Sequence, residues 1–208
     1  MVRRPAIDGN TSILLSAAQA IKDCQSPVTK PRLIKVMQAM AVPCKIREFR
    51  KEDIDAVMAI NQAALPENYP SSFFLGLHSH APKAFLVAEV DSTVIGYIMC
   101  RMERGISSFR RPYPVKKGHI VSVAVVRDHR RKGIGTELIE RGIAGMVEYG
   151  ATEFYLEVRK SNKPAVTIYE VLGFEIGRVL RGYYRDGEDA YLMTRKRNHD
   201  QEDDSSDG

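Results

Sequence analysis

The strongest constraint on this chain lies in residues 119–149, where an apolar run passes through a basic glycine turn into an amphipathic stretch. Residues 119–126, HIVSVAVV, have the length and β-branched character of a strand, and their near-unbroken apolarity predicts burial on both faces. Ile134, Leu138, Ile139, Ile143 and Val147 then recur at the spacing of one helical face. Between them, residues 127–132 form a polar turn, and Gly133-Ile134-Gly135 opens the helix. Strand, basic turn and helix together can hold a pyrophosphate. The first N–H groups of a helix have no internal partner, and the helix dipole adds positive potential there. Gly133 and Gly135 let the backbone come close, while Arg130, Arg131 and Lys132 bring charge that a phosphate can use. Ile134 and Thr136 belong to the same first turn, and their backbone N–H groups are candidates to join in holding a phosphate. A glycine turn of this kind can equally be a plain helix cap. The third glycine of the dinucleotide fingerprint is missing, and no P-loop occurs, so neither of those nucleotide folds is supported.

Five segments carry a family resemblance. Arg130-Arg-Lys-Gly-Ile-Gly135 resembles the pyrophosphate loop of the GNAT acetyltransferases. Leu65-Pro-Glu-Asn-Tyr69, the strand opening at His119, Tyr155-Leu-Glu-Val-Arg-Lys-Ser-Asn162 with Tyr169-Glu-Val-Leu-Gly-Phe174, and Gly182-Tyr-Tyr-Arg-Asp-Gly-Glu-Asp-Ala-Tyr191 follow in the order of one branch. That branch is the protein N-terminal acetyltransferases of the NatA catalytic-subunit type, archaeal in character and akin to ribosomal-protein alanine acetyltransferases. The resemblance spans residues 45–195. It implies an α/β acyl-CoA N-acyltransferase fold, with a mixed twisted sheet splayed between its fourth and fifth strands and helices on both faces. It implies acetyl-CoA as co-substrate and transfer of acetyl to protein N-termini starting with Ser, Ala, Thr or Met, by direct attack in a ternary complex.

The resemblance also assigns roles. Backbone groups of Val123 and Val125 pair with the cofactor, with Ala124 between them in the cofactor-binding stretch and one N–H near there for the oxyanion, and Asn162 hydrogen-bonds the cofactor. Tyr169 is the general acid near the sulfur. Glu157 and His119 hold a water that relays the amine proton. A free α-amine has a pKa of ~8, so a modest base suffices. Glu67, Tyr69 and Tyr184 form the peptide side, with Arg159 and Tyr183 behind them. Each residue also has a structural alternative: core packing for the valines and Tyr169, capping for Asn162, and an ordinary polar pair for His119 and Glu157. No metal is expected, since two ligands make a poor zinc site. The carboxylates of residues 186–189 read as anchors of a turn rather than as catalysts.

Length and composition agree with one enzyme domain. The chain has 208 residues, 44% hydrophobic and 27% charged, ordinary for a globular protein. No apolar run approaches the ~20 residues of a membrane span, and the start lacks the pattern of a signal peptide. Cys24, Cys44 and Cys100 are odd in number and widely spaced, which points to a reduced cytoplasm. The net charge of +5 is uneven. Lys and Arg crowd residues 30–51 and 101–132, a solvated basic face that suits CoA phosphates and could touch ribosomal RNA, though no RNA-binding motif is present.

In chain order, residues 1–44 are an extension with short helices over 11–24 and 32–40, and Met40 would make a natural family start. A strand over 45–49 and a helix over 53–65 follow, the latter ended by the Leu65-Pro66 step. Ser71 or Ser72 caps a short helix. Residues 84–90 and 94–99 pair as a hairpin, and 103–117 form a long loop. After the central unit come a strand over 154–158 and a helix from Asn162 to Leu172 ended by Gly173. A hairpin then pairs 175–184 with 188–194 across Asp186-Gly187. Residues 196–208 form an acidic, disordered tail. The enzyme is expected to be a monomer. Rivals are a lysine or small-amine acetyltransferase, or a silent acyl-CoA-binding, ribosome-associated module.

Overall fold

The structure is a computed structural model that describes residues 44–109 and 112–197. Residues 1–43 of the expected extension, with its two helices, and residues 198–208 of the expected tail lie outside the described residues.

The elements run β1 (Lys45–Glu48), α1 (Ile54–Ala64), α2 (Ser71–His80), β2 (Phe85–Val90), β3 (Thr93–Ile106), β4 (Pro114–Val125), α3 (Ile134–Glu148), β5 (Glu153–Arg159), α4 (Lys163–Val171), β6 (Glu175–Leu180) and β7 (Ala190–Lys196). The strands form one mixed sheet in the order β1-β2-β3-β4-β5-β7-β6. Alternation along the strands separates two apolar clusters. Leu86, Ala88, Ile98 and Ile120 join Leu138, Ile143, Leu156, Val166 and Tyr169 on the face covered by α3 and α4. Phe85, Val87, Tyr97, Met99 and Ala124 join Val57, Ile60, Phe74 and Leu77 on the face covered by α1 and α2. No helix among the described residues is long and apolar enough to cross a membrane.

The sheet is continuous at one end and open at the other. β4 and β5 are parallel neighbours only at Lys117↔Glu153, Gly118↔Phe154 and His119↔Tyr155. Beyond that register, residues 120–125 and 156–159 part, leaving a gap between the fourth and fifth strands as expected. Antiparallel β3 and β7 flank the gap and hold its walls.

Three local expectations are corrected. Residues 103–117 are not one long loop: β3 runs to Ile106 and β4 starts at Pro114, pairing in register. Alternating polar and basic side chains on a two-stranded ribbon carry no apolar signal, so its strand character was hidden. The tip of this ribbon is tied down by buried Glu153, which accepts from the Ser107 hydroxyl and, at 2.8 Å, from the Ser108 N–H. The last hairpin is likewise looser than expected. β6 ends at Leu180 and β7 begins at Ala190, and the Asp186-Gly187 turn sits inside a nine-residue loop (181–189) closed by Tyr184 N–H to the Glu188 carbonyl at 3.1 Å. Finally, neither Ser71 nor Ser72 caps α2; its N-cap is Pro70.

Candidate active site

Four strands deliver one row of side chains to the α1–α2 face at the point where β4 and β5 part. Arg101 of β3 stands opposite His119 of β4, which stands opposite Tyr155 of β5, itself opposite Thr194 of β7. Two residues along β5, Glu157 falls on the same face. The His119 ring stacks on Tyr155 at 4.3 Å between centroids and 7° between planes. His119 Nε2 lies 2.7 Å from Glu157 Oε2, with side-chain exposures of 11% and 17%. The two expected catalytic groups are therefore bonded directly to each other, too close for a water to bridge them.

The loop after α1 and the loop before β7 close over this pair. Glu67 Oε1 accepts from Arg159 at 2.7 Å, and the same guanidinium donates to Asp186 at 2.7 Å and Glu188 at 2.8 Å. Its plane covers the Tyr184 ring at 4.0 Å. Tyr69 stacks on Phe73 of α2 at 4.7 Å. Burial raises the phenol pKa of Tyr69, Tyr183 and Tyr184, and the carboxylates of Glu67 and Glu157 raise it further. These hydroxyls stay protonated and can donate. Asp186 and Glu188 are held below the usual carboxylate range, Asp186 by the N–H of Glu188 and Glu188 by Ser161, each helped by Arg159. The turn carboxylates are anchors, as expected.

Tyr169 is not with this group. It lies in the cluster on the opposite face, 7% exposed, edge-on to Phe174 at 5.8 Å. Burial pushes its phenol well up, so it is a proton donor and not a base. The gap is the passage between the faces: Glu157 and His119 stand on one side of it, and Tyr169 is packed on the other.

The open edge of β4 is set by its bonding to β3. Val126 N–H donates to the Ile95 carbonyl at 2.9 Å, in the Gly96↔Val125 register. By strand alternation Ala124 also turns its backbone to β3, whereas Val123 and Val125 turn theirs toward the gap. The Ala124 backbone thus falls to the ladder by alternation, and its side chain joins the core. One of the cleft-facing groups, the Val125 carbonyl, accepts from Arg130 Nε at 2.8 Å, so Arg130 braces the turn.

At the head of α3, Gly133 takes φ 83° as N-cap, a left-handed conformation that a side chain resists. Arg131 (φ 61°) precedes it in the turn. The first intrahelical bond runs from Glu137 N–H to the Gly133 carbonyl at 3.0 Å, which leaves the N–H groups of Ile134, Gly135 and Thr136 pointing out of the helix. Thr136 Oγ1 is buried without a hydrogen-bond partner, a donor set waiting on an acceptor. Lys132, just before the cap, is half-buried. An open strand edge leading to such a helix start fits acetyl-CoA. Asn162 spends its Oδ1 on capping α4 through Ala165 N–H at 3.3 Å, the structural role that its position also allowed.

Arg101 escaped the sequence reading. It donates to His119 Nδ1 at 3.4 Å and pairs with Glu103 at 2.5 Å, while Glu103 accepts from the Tyr155 hydroxyl at 2.6 Å. The signal available in the sequence was only a charged residue at the end of an apolar strand.

Known proteins bear on this geometry. The model of the acetyltransferase (GNAT) family matches residues 53–174. The chain is similar to an N-alpha-acetyltransferase of Sulfurisphaera tokodaii, 53% identical over 151 residues, spanning 72% of this chain and 90% of that protein. It is 37% identical over 161 residues to the N-terminal acetyltransferase A complex catalytic subunit of Arabidopsis thaliana, spanning 74% and 80%. Among solved structures, Ard1 from Thermoplasma volcanium superimposes with a TM-score of 0.64 at 33% identity, covering 74% of this chain and 98% of that one.

Proposed function

The chain belongs to the GNAT acetyltransferase family, and from that premise we propose that it is a protein N-terminal α-amino acetyltransferase using acetyl-CoA. The observation that carries the proposal is the bonded His119–Glu157 pair at the mouth of the gap, facing Glu67, Tyr69 and Tyr184 across a narrow entrance.

Acetyl-CoA, when bound, supplies an activated acetyl thioester. The cleft-facing backbone of Val123 and Val125 and the first turn of α3, with Gly133, Gly135 and Thr136, would hold it. An N–H of this strand edge would stabilise the oxyanion. Glu67 attracts the cationic chain end, and the protonated Tyr69 and Tyr184 hydroxyls donate to peptide carbonyls. Backbone recognition leaves the first side chain loosely specified, which suits Ser, Ala, Thr and Met starts. Glu157 takes the amine proton, and the Tyr169 hydroxyl donates one to the departing thiolate from the far side of the gap.

A catalytic domain spanning 45–195, a monomeric state and cytoplasmic work on nascent or finished chains, with ribosome association through the basic face, belong to the same proposal.

The deciding experiment is acetylation of peptides that vary at positions one and two, alongside peptides with a blocked N-terminus and one internal lysine. Free N-termini are expected to be modified far faster. Efficient acetylation of the lysine peptides alone would overturn the proposal in favour of a lysine acetyltransferase. Acetyl-CoA binding without any peptide modification would favour a silent module.

A further inference from the structure

Resting on the acetyl transfer proposed above, we infer that Arg101 is a positioning residue that fixes the tautomer of His119 and so makes Glu157 the proton acceptor of the site.

A guanidinium has only N–H groups and no acceptor. Arg101 Nη2 lies 3.4 Å from His119 Nδ1, so that nitrogen must offer its lone pair. The ring hydrogen then sits on Nε2 and is donated to Glu157 Oε2 at 2.7 Å. A ring with hydrogen on Nδ1 would aim one N–H at another. A ring with bare Nε2 would also face the carboxylate with a lone pair. One tautomer satisfies both neighbours.

Neighbouring groups hold the arrangement. Arg101 and His119 are register partners on β3 and β4, so their side chains leave the sheet side by side. Glu103 holds the guanidinium, and the Tyr155 hydroxyl ties Glu103 back to β5. Tyr155 covers the imidazole face. His119 therefore has a donor on one edge, an acceptor on the other and an aromatic floor.

The chemical consequence concerns where the proton goes. The imidazole already carries one hydrogen, directed at Glu157, and its other nitrogen is covered by a cation. The proton released by the attacking amine, directly or through water, ends on Glu157, which becomes a neutral acid and later returns it to solvent. The imidazole ends the cycle with the hydrogen it began with. His119 thus orients the base, as the third member of a triad orients its partner.

The test is long-range proton–nitrogen NMR on the full chain labelled at its 5 histidines, with His119 assigned by its absence in His119→Gln. Wild type is expected to show the Nε2–H form. Arg101→Met is expected to mix the two forms and to lower kcat about tenfold, with peptide KM within about twofold. Arg101→Lys, also a pure donor, should restore most of both. Hydrogen on Nδ1 in wild type, or an unchanged tautomer in Arg101→Met, would overturn the inference. Should Arg101→Met not fold, the wild-type spectrum and Arg101→Lys still decide it. A protein that shows the expected tautomer but acetylates no free N-terminus would sink the proposed function and leave the tautomer assignment standing.

Discussion

Arg159 Nη2 donates to Glu67 Oε1 at 2.7 Å, joining residues 92 positions apart. Through Asp186 and Glu188 the same guanidinium holds the opposite loop. One side chain at the end of β5 therefore holds the loops on both sides of the proposed peptide entrance. With a side-chain exposure of 16% it sits beneath the loops, not on their surface.

Arg159→Met should release both loops. The peptide KM is expected to rise roughly tenfold, since misplacing a substrate wall by an ångström is costly, while the acetyl-CoA KM stays put. Steady-state kinetics with each substrate varied in turn measures this. A change confined to acetyl-CoA would contradict the clamp.

Glu157→Gln keeps the size of the side chain and removes its basicity. A drop in kcat of about 10²–10⁴ is expected, the range for a lost general base. Peptide affinity, measured by calorimetry on the variant, should barely move. An unchanged kcat would remove Glu157 from the mechanism.

Gly133→Ala places a Cβ on a residue with φ 83°. The strain costs about 1 kcal/mol of stability, visible in denaturant unfolding. Relieving it would turn the first N–H groups of α3 away from the phosphates. Acetyl-CoA KM should rise several-fold with the peptide KM unaffected. Equal effects on both substrates would argue against a phosphate role for the turn.

Asp53 gives a pH signature remote from the site. It accepts from Arg47 at 2.7 and 2.9 Å and from the Arg50 N–H at 2.8 Å, joining β1 to the start of α1. The Arg47 bond holds its carboxyl below the usual value. A carboxyl whose folded pKa lies below its unfolded one stabilises the fold above the unfolded value of ~3.9, and that stability drains as pH falls further. Asp53→Asn should lose about 2 kcal/mol at neutral pH. Its stability should also be flatter than wild type below about pH 4. Urea midpoints measured at several pH values test both. Parallel acid limbs would show that the pair carries no linkage.

Much of this was legible in the chain itself. The β4–α3 unit announced itself because a buried strand and a one-faced helix leave a local period, and Gly133 marks a local backbone need. The order of strands and helices followed from the same periods, and the parting of the fourth and fifth strands from the family resemblance. The polar ribbon after Met102 escaped because its strand character comes from pairing, not from apolar pattern. The last hairpin was overextended for the opposite reason: a good turn dipeptide says where a chain reverses, not how far the ladder reaches.

What the sequence could not supply is which polar atoms meet. Glu157 and His119 could be named as a pair, but their direct bond, the tautomer that Arg101 imposes and the separation of Tyr169 onto the other face depend on strand register and side-chain direction. Those are set by how the seven described strands pair across long sequence distances. Local periodicity is written in neighbouring residues and survives in one dimension. Contact between Arg101, His119 and Glu157 exists only once β3, β4 and β5 are side by side.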